Sequence, residues 1–173
     1  MSAAEARVRH LLRADAALYR EIRLEALTQS PEAFGSTFEA EGVRPLAWFA
    51  DRLDGAAVFG AFDGTELLGI AGLYIQQGRK HAHKGTLWTM YVRPNARRAG
   101  VGRRLVEAVI EHARRHVELV QLSVVSGNEP ARRLYATLGF VEYGIEKDAL
   151  KADGQYWDEV LMAKPLTDRM GHR

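Results

Sequence analysis

The chain has 173 residues, 47% of them apolar and 27% charged, with no cysteine and a formal net charge of +2. A domain of this length buries roughly 70% of its unfolded surface without covalent staples, and the lack of cysteine excludes disulfide miniproteins, zinc ribbons, iron–sulfur sites and thiol catalysis. The apolar fraction argues against disorder, and no apolar run approaches the roughly eighteen residues of a membrane span. A surplus of +2 is weak ground for a nucleic-acid binder. The N-terminus runs straight into charge (Glu5, Arg7, Arg9), so the expectation is a soluble cytoplasmic protein with no nucleic-acid or membrane partner.

In chain order, the pattern predicts a strand at 8–12 and a helix over 15–27. Asp15 is its expected N-cap, and Leu18, Ile22, Ala26 and Leu27 are its inward face. Residues 30–36, with Pro31 and Gly35, read as a loop. A second helix is expected over 45–53 with Trp48 and Phe49 inward. Strands at 56–62 and 66–76 flank the turn pair Asp63-Gly64, a hairpin signal. A polar turn at 78–85 leads into a strand at 86–92. The helix expected over 102–116 buries Leu105, Val106, Val109, Ile110 and Ala113. Leu119–Val125 reads as a strand, and Asn128 caps a short helix closed by Gly139. A strand pair at 140–146 and 156–164 precedes a tail at 165–173. The expected class is α+β: a mixed sheet with helices on both faces, as one domain over 1–165 with a C-terminal tail at 166–173.

The most informative stretch runs from Met90 to Leu105, where a strand enters a tight loop and Gly100 and Gly102 stand at the start of a long helix. The first N–H groups of a helix lack partners, and its dipole adds positive potential there. Glycines remove side chains that would hold a phosphate away, and Arg97, Arg98 and Arg103 add charge and forked donors. Together these describe a pyrophosphate cradle. The rival reading is a structural Gly-x-Gly turn with solvated arginines. A dinucleotide site would need Gly where Leu105 stands, and the Lys-Ser/Thr of a P-loop is absent.

Arg97-Arg-Ala-Gly-Val-Gly102 resembles the Gln/Arg-x-x-Gly-x-Gly/Ala element of the GCN5-related N-acetyltransferases (GNAT). The stretch from Asn128 through Tyr135 to Gly139-Phe140 is similar to the next helix of that superfamily. The segment around Ser30 to Ser36 looks like the acceptor-side region of many bacterial members. The resemblance implies a mostly antiparallel sheet whose central strands splay apart around acetyl-CoA, a cosubstrate used without a metal. It implies that backbone groups of Tyr91 and Val92 pair with the pantetheine arm, a main-chain N–H near Val92 polarising the thioester carbonyl. The pyrophosphate would sit on Arg98, Ala99, Gly100, Val101 and Gly102, with Arg97 and Arg103 beside it. Asn128 would bond the pantetheine, and Tyr135 would place its hydroxyl by the sulfur as the catalytic residue.

A phenol with pKa near 10 can protonate or stabilise a departing thiolate. The rival readings are that Tyr135 is an ordinary core tyrosine and Asn128 only a helix cap. The implied reaction moves an acetyl group to a primary amine of a small molecule or peptide by direct attack in a ternary complex. An acetyl-CoA-binding sensor without turnover and a nucleotide-binding protein are the alternatives. Dimers are common among similar proteins, so a homodimer belongs to the expectations. No general base stands out: Glu25, Glu39 and Glu41 from the acceptor-side region and Asp158 from the late strand are the candidates, each with a rival reading as a solvated surface acid. A water chain could replace a dedicated base. His81 and His83 read as a hydrated hairpin tip, and His112 and His116 as the polar flank of their helix. Tyr156 and Trp157 either line an acceptor pocket or pack.

Overall fold

In the computed structural model, which describes residues 6–167, seven strands form one sheet in the order β1-β2-β3-β4-β5-β7-β6. They are β1 (Arg7–His10), β2 (Ala57–Asp63), β3 (Glu66–Ile75), β4 (Lys84–Val92), β5 (Leu119–Val125), β6 (Val141–Ala152) and β7 (Gln155–Pro165). The helices are α1 (Ala16–Gln29), α2 (Phe38–Gly42), α3 (Leu46–Gly55), α4 (Val101–Ala113) and α5 (Glu129–Thr137). All neighbouring strands are antiparallel except β4 and β5. This is the mixed α+β sheet expected from the sequence.

Each face of the sheet carries its own core. Leu105, Val106 and Val109 of α4 pack with Ala61, Ala71 and Leu73 on one face. Tyr19 and Ile22 of α1 and Phe49 and Leu53 of α3 pack with Val58 and Ile70 on the other. Covered on both sides, β3 is buried almost along its whole length, which explains its unbroken apolar run. Gly64 takes φ +56° in the β2–β3 turn, a conformation that glycine adopts without a Cβ penalty.

Several local expectations are corrected. Asp15 makes no side-chain cap on α1; its carboxylate accepts from the Leu12 N–H (2.8 Å) and pairs with Arg9, stabilising the turn before the helix. Leu18 is on the outer side of α1, and Tyr19 and the charged Arg23 take the inward face. Helix α2 occupies a stretch without an apolar period and is capped by Thr37, whose hydroxyl accepts from the Ala40 N–H (3.2 Å). The tail does not begin at residue 165, because Pro165 closes β7 and the Leu166 N–H donates to Glu118 O (2.9 Å). Residues 168–173 of the expected tail lie outside the described residues.

The two α4 histidines differ. His116 is exposed, but His112 is half-buried with its ring edge-on to Phe59 at 5.6 Å and tilted against His10 at 6.1 Å. Burial, reinforced by the charges of His116, His10 and Arg115, lowers its pKa. The folded protein therefore binds this proton less readily than the unfolded chain. The contribution to stability is full above the ordinary 6.5 and is lost as pH falls through the depressed value. Thermal unfolding at pH 7 and pH 5.5 checks this: His112→Gln narrows the difference in Tm between the two, and His116→Gln, which removes one reinforcing charge but not the burial, narrows it less.

Candidate active site

Strands β4 and β5 are hydrogen-bonded only over Lys84↔Leu119, Gly85↔Val120 and Thr86↔Gln121. Beyond Gln121, β5 remains paired with β7 alone, and the two central strands part. The gap is a cleft of about 1190 Å³. One wall is the end of β4 with the loop into α4, and the other is the end of β5 with α5. Charged residues at the ends of β4 and α4 are drawn to separate places. Arg93 pairs with Glu21 (2.8 Å) and Glu25 (3.1 Å), and Arg104 donates to Ala6 O (3.1 Å). The arginines bordering the cleft are Arg97, Arg98 and Arg103.

The loop and helix start form a concave run of backbone. Gly100 is the N-cap of α4 at φ +76°, and Arg98 is also left-handed at +63°. The Arg104 N–H donates to Gly100 O (3.1 Å), so α4 geometry leaves the preceding N–H groups of Val101, Gly102 and Arg103 without helical acceptors. A Cβ on Gly102 would stand 3.0 Å from Met90 Cε and 3.5 Å from Leu134 Cδ2, on the floor of the cleft. At Gly100 a Cβ would meet nothing within 4 Å, so the positive φ is the reason for glycine there. Arg97 is turned back, its Nε donating to Val92 O (3.0 Å). Arg103 bridges α4 and α5 through Glu107 (3.0 Å) and Thr137 (3.5 Å). Ala99 does not border the cleft and packs on the α4-side core.

Strand alternation separates Tyr91 from Val92. The Arg93 N–H donates to Leu68 O (2.8 Å), so the N–H and C=O of Tyr91 turn toward β3 and those of Val92 toward the gap. Tyr91 also sends its hydroxyl away, to Glu25 Oε1 (3.1 Å). Tyr91 and Val92 both border the cleft, and Met90, which the sequence reading passed over, lies on its floor. On the facing wall Asn128 Oδ1 accepts from the Ala131 N–H (3.3 Å), so it caps α5 while bordering the cleft. Tyr135 is 5% exposed, its ring edge-on to Phe140 at 5.8 Å, and it too borders the cleft. Burial alone pushes its phenol well above the ordinary 10, so it stays protonated across the neutral range.

Among known proteins, the model of the Acetyltransferase (GNAT) family matches residues 19–140, which contain both walls of this cleft. The chain belongs to the GNAT acetyltransferase family. It is 33% identical over 85 residues to the ribosomal protein bS18-alanine N-acetyltransferase of Escherichia coli K12, a match covering 49% of this chain and 57% of that one. It is 33% identical over 95 residues to the N-alpha-acetyltransferase RimI of Mycobacterium tuberculosis, covering 55% and 58%. The chain thus spans under two thirds of the length of these curated relatives. The solved ribosomal-protein-alanine N-acetyltransferase of Brucella melitensis superposes with a TM-score of 0.77 at 27% identity, over 92% of this chain and 99% of that one. A phosphinothricin acetyltransferase of Sinorhizobium meliloti, solved with acetyl-CoA, shares the fold with a TM-score of 0.82 at 20% identity, over 97% and 92%.

In this GNAT member the end of the cleft beside β7 carries Phe34, Tyr156 and Trp157 with the acids Glu32 and Asp158. Of the four acids proposed from sequence, Asp158 alone borders the cleft. Its hydrogen bond from Lys147 (2.8 Å), and then that from the Asp148 N–H (2.9 Å), hold its carboxyl below the usual range, which makes it a weak base. Glu39 is exposed and off the cleft, and Glu25 is committed to Tyr91 and Arg93. Glu41 is no surface acid. It is 3% exposed and takes both forks of Arg23 at 2.7 and 2.9 Å. Burial alone would raise its carboxyl, but the hydrogen bond and charge of Arg23 outweigh that and hold it below 4.5. Its stabilising share is present above that pH and disappears as pH falls through the depressed value. Glu41→Gln strands a buried guanidinium and lowers stability by about 3–5 kcal/mol, read from urea midpoints at pH 7.

Proposed function

We propose that this protein transfers the acetyl group of acetyl-CoA to a primary amine, by direct attack within a ternary complex. The observation that carries the reading is a splayed gap between two parallel central strands, with unpartnered helix N–H groups on one wall and a buried protonated phenol on the other. The N–H groups of Val101, Gly102 and Arg103 hold the diphosphate, where helix dipole and arginine charge add. Val92 offers its main chain toward the gap, and its N–H polarises the thioester carbonyl. Asn128, whose Oδ1 serves the helix cap, has its amide N–H2 for the pantetheine.

When the amine attacks, the carbon–sulfur bond breaks and negative charge gathers on sulfur. A thiol titrates near 8.5 and Tyr135 above 10, so the proton stays on the phenol and Tyr135 acts by hydrogen-bonding the thiolate. The ammonium proton leaves through water at the end lined by Glu32, Tyr156 and Trp157, Asp158 being a weakened base and Glu41 closed off by Arg23. That end is aromatic and acidic, which suits a cationic amine beside an apolar group. Relatives named for alanine acetylation make peptides with N-terminal alanine the first acceptors to try. Release of CoA thiol across a panel of such peptides, amino acids and small amines tests the reading. A sensor would bind CoA by calorimetry and release none above background.

A further inference from the structure

Beneath the acceptor end lies a charge that the reaction does not use. Arg23 of α1 is 4% exposed and Glu41 of α2 is 3% exposed. The guanidinium donates twice to Glu41, from Nε (2.9 Å) and Nη2 (2.7 Å), and its remaining arm, Nη1, donates to Thr89 Oγ1 (3.2 Å). Its Cζ stands 5.2 Å from the ring centre of Phe34, which borders the cleft. A buried ion pair is a poor stabiliser compared with apolar residues of the same volume. What a planar fork supplies is direction.

That direction is toward a strained point. Thr89 has φ +52°, a costly conformation for a β-branched residue that persists only when its surroundings hold it. Here the β3–β4 register slips, with Ile70 opposite Tyr91 but Gly72 opposite Trp88. The consequence shows in the cores. Leu87 packs on the α4 side and Tyr91 on the α1 side, although residues four apart in a regular strand share a face. The bulge therefore brings Met90 and Val92 onto the α4 side, where the cleft is. Without it, the edge that carries the thioester would be out of phase.

We propose that Arg23 is a positioning residue for acetyl transfer: braced by Glu41, it holds the Thr89 bulge and so sets the 90–92 edge against the thioester. This rests on the acetyltransferase reading above. The test pairs two variants, Arg23→Met with Glu41→Leu in one chain, which replaces the ion pair by apolar volume, and Thr89→Val, which exchanges the hydroxyl for a methyl and keeps the ion pair. Amide hydrogen exchange at 88–91, calorimetric Kd for CoA, and kcat and KM by thiol release are measured on each. Exchange at 88–91 is expected to rise about tenfold or more while α4 is unchanged. CoA affinity stays within about threefold, since the cradle lies on a separate element. The double variant loses about 100-fold in kcat, as expected for displacement of about 1 Å. Arg23→Lys, with charge but no fork, falls between wild type and the double variant. Wild-type exchange and kcat in a folded double variant, or in Thr89→Val should the double variant not fold, overturn the proposal. A wild-type protein releasing no thiol with any amine sinks the acetyltransferase reading instead, and the exchange data still decide whether Arg23 holds the bulge.

Discussion

Gly102→Val keeps the fold and lowers the affinity for CoA about 100-fold or more, the loss expected when two charge-assisted hydrogen bonds of about 1.5–3 kcal/mol are forfeited. The reason is positional. A Cβ at residue 102 stands within 3.0 Å of the flexible end of Met90 and 3.5 Å of Leu134, contacts that yield by small shifts, so α4 survives. Met90 and Leu134 border the cleft, so the bulk that valine adds at residue 102 is added at the floor on which the ligand must rest. Gly102→Ala gives an intermediate affinity, because one carbon fills less of that floor. Calorimetry with CoA, alongside circular dichroism and Tm for each variant, reads the series. A folded Gly102→Val protein with wild-type affinity would refute the placement of the diphosphate.

Tyr135→Phe is expected to lower kcat by about 10²–10³ while leaving the Kd for CoA within about threefold, as for removal of one donor aimed at developing charge. The ring is packed against Phe140 and stays so in phenylalanine, which confines the change to the hydroxyl. The pH profile adds an independent reading. Because burial raises the phenol above its ordinary 10, no alkaline fall in kcat arises from Tyr135 up to about pH 10. An alkaline limb at or below about pH 10 that vanishes in Tyr135→Phe would assign the limb to a phenol not raised above its ordinary value and contradict the burial argument. Equal losses in kcat and CoA affinity would reduce Tyr135 to a packing residue.

The elements were legible where one regularity dominates, a helical period in α4 and an unbroken apolar run in β3. Helix α4 carries an apolar residue at every helical return, and Leu105, Val106 and Val109 are fully buried as that pattern requires. The Gly100 and Gly102 positions were legible for a related reason: a helix start with glycines leaves few other uses for its N–H groups. Arg23 was not legible. A charged residue on the inward face of α1 contradicts the periodic rule, and only its partner 18 positions away explains it. Helix α2 escaped notice because five residues cannot show a period. Asp15 illustrates a competition of partners: the residue type suits an N-cap, yet Arg9 and the Leu12 N–H claim the carboxylate first.

By itself the sequence determined the class of sheet, the helix that starts at the phosphate loop, the paired motifs of the acetyltransferase family and the two faces that helices cover. These follow from short-range regularities, in which each residue and its neighbours three, four or two positions away state the same preference. The tertiary structure alone decided what each arginine pairs with, which acid is buried, and where β4 changes phase. Arg93 and Arg97 lie four positions apart in the same loop region, but one is bound to α1 carboxylates and the other borders the gap. Such outcomes depend on partners brought together from distant parts of the chain. The energy of a charge or a left-handed threonine is set by what packs against it, and the local pattern carries no record of that.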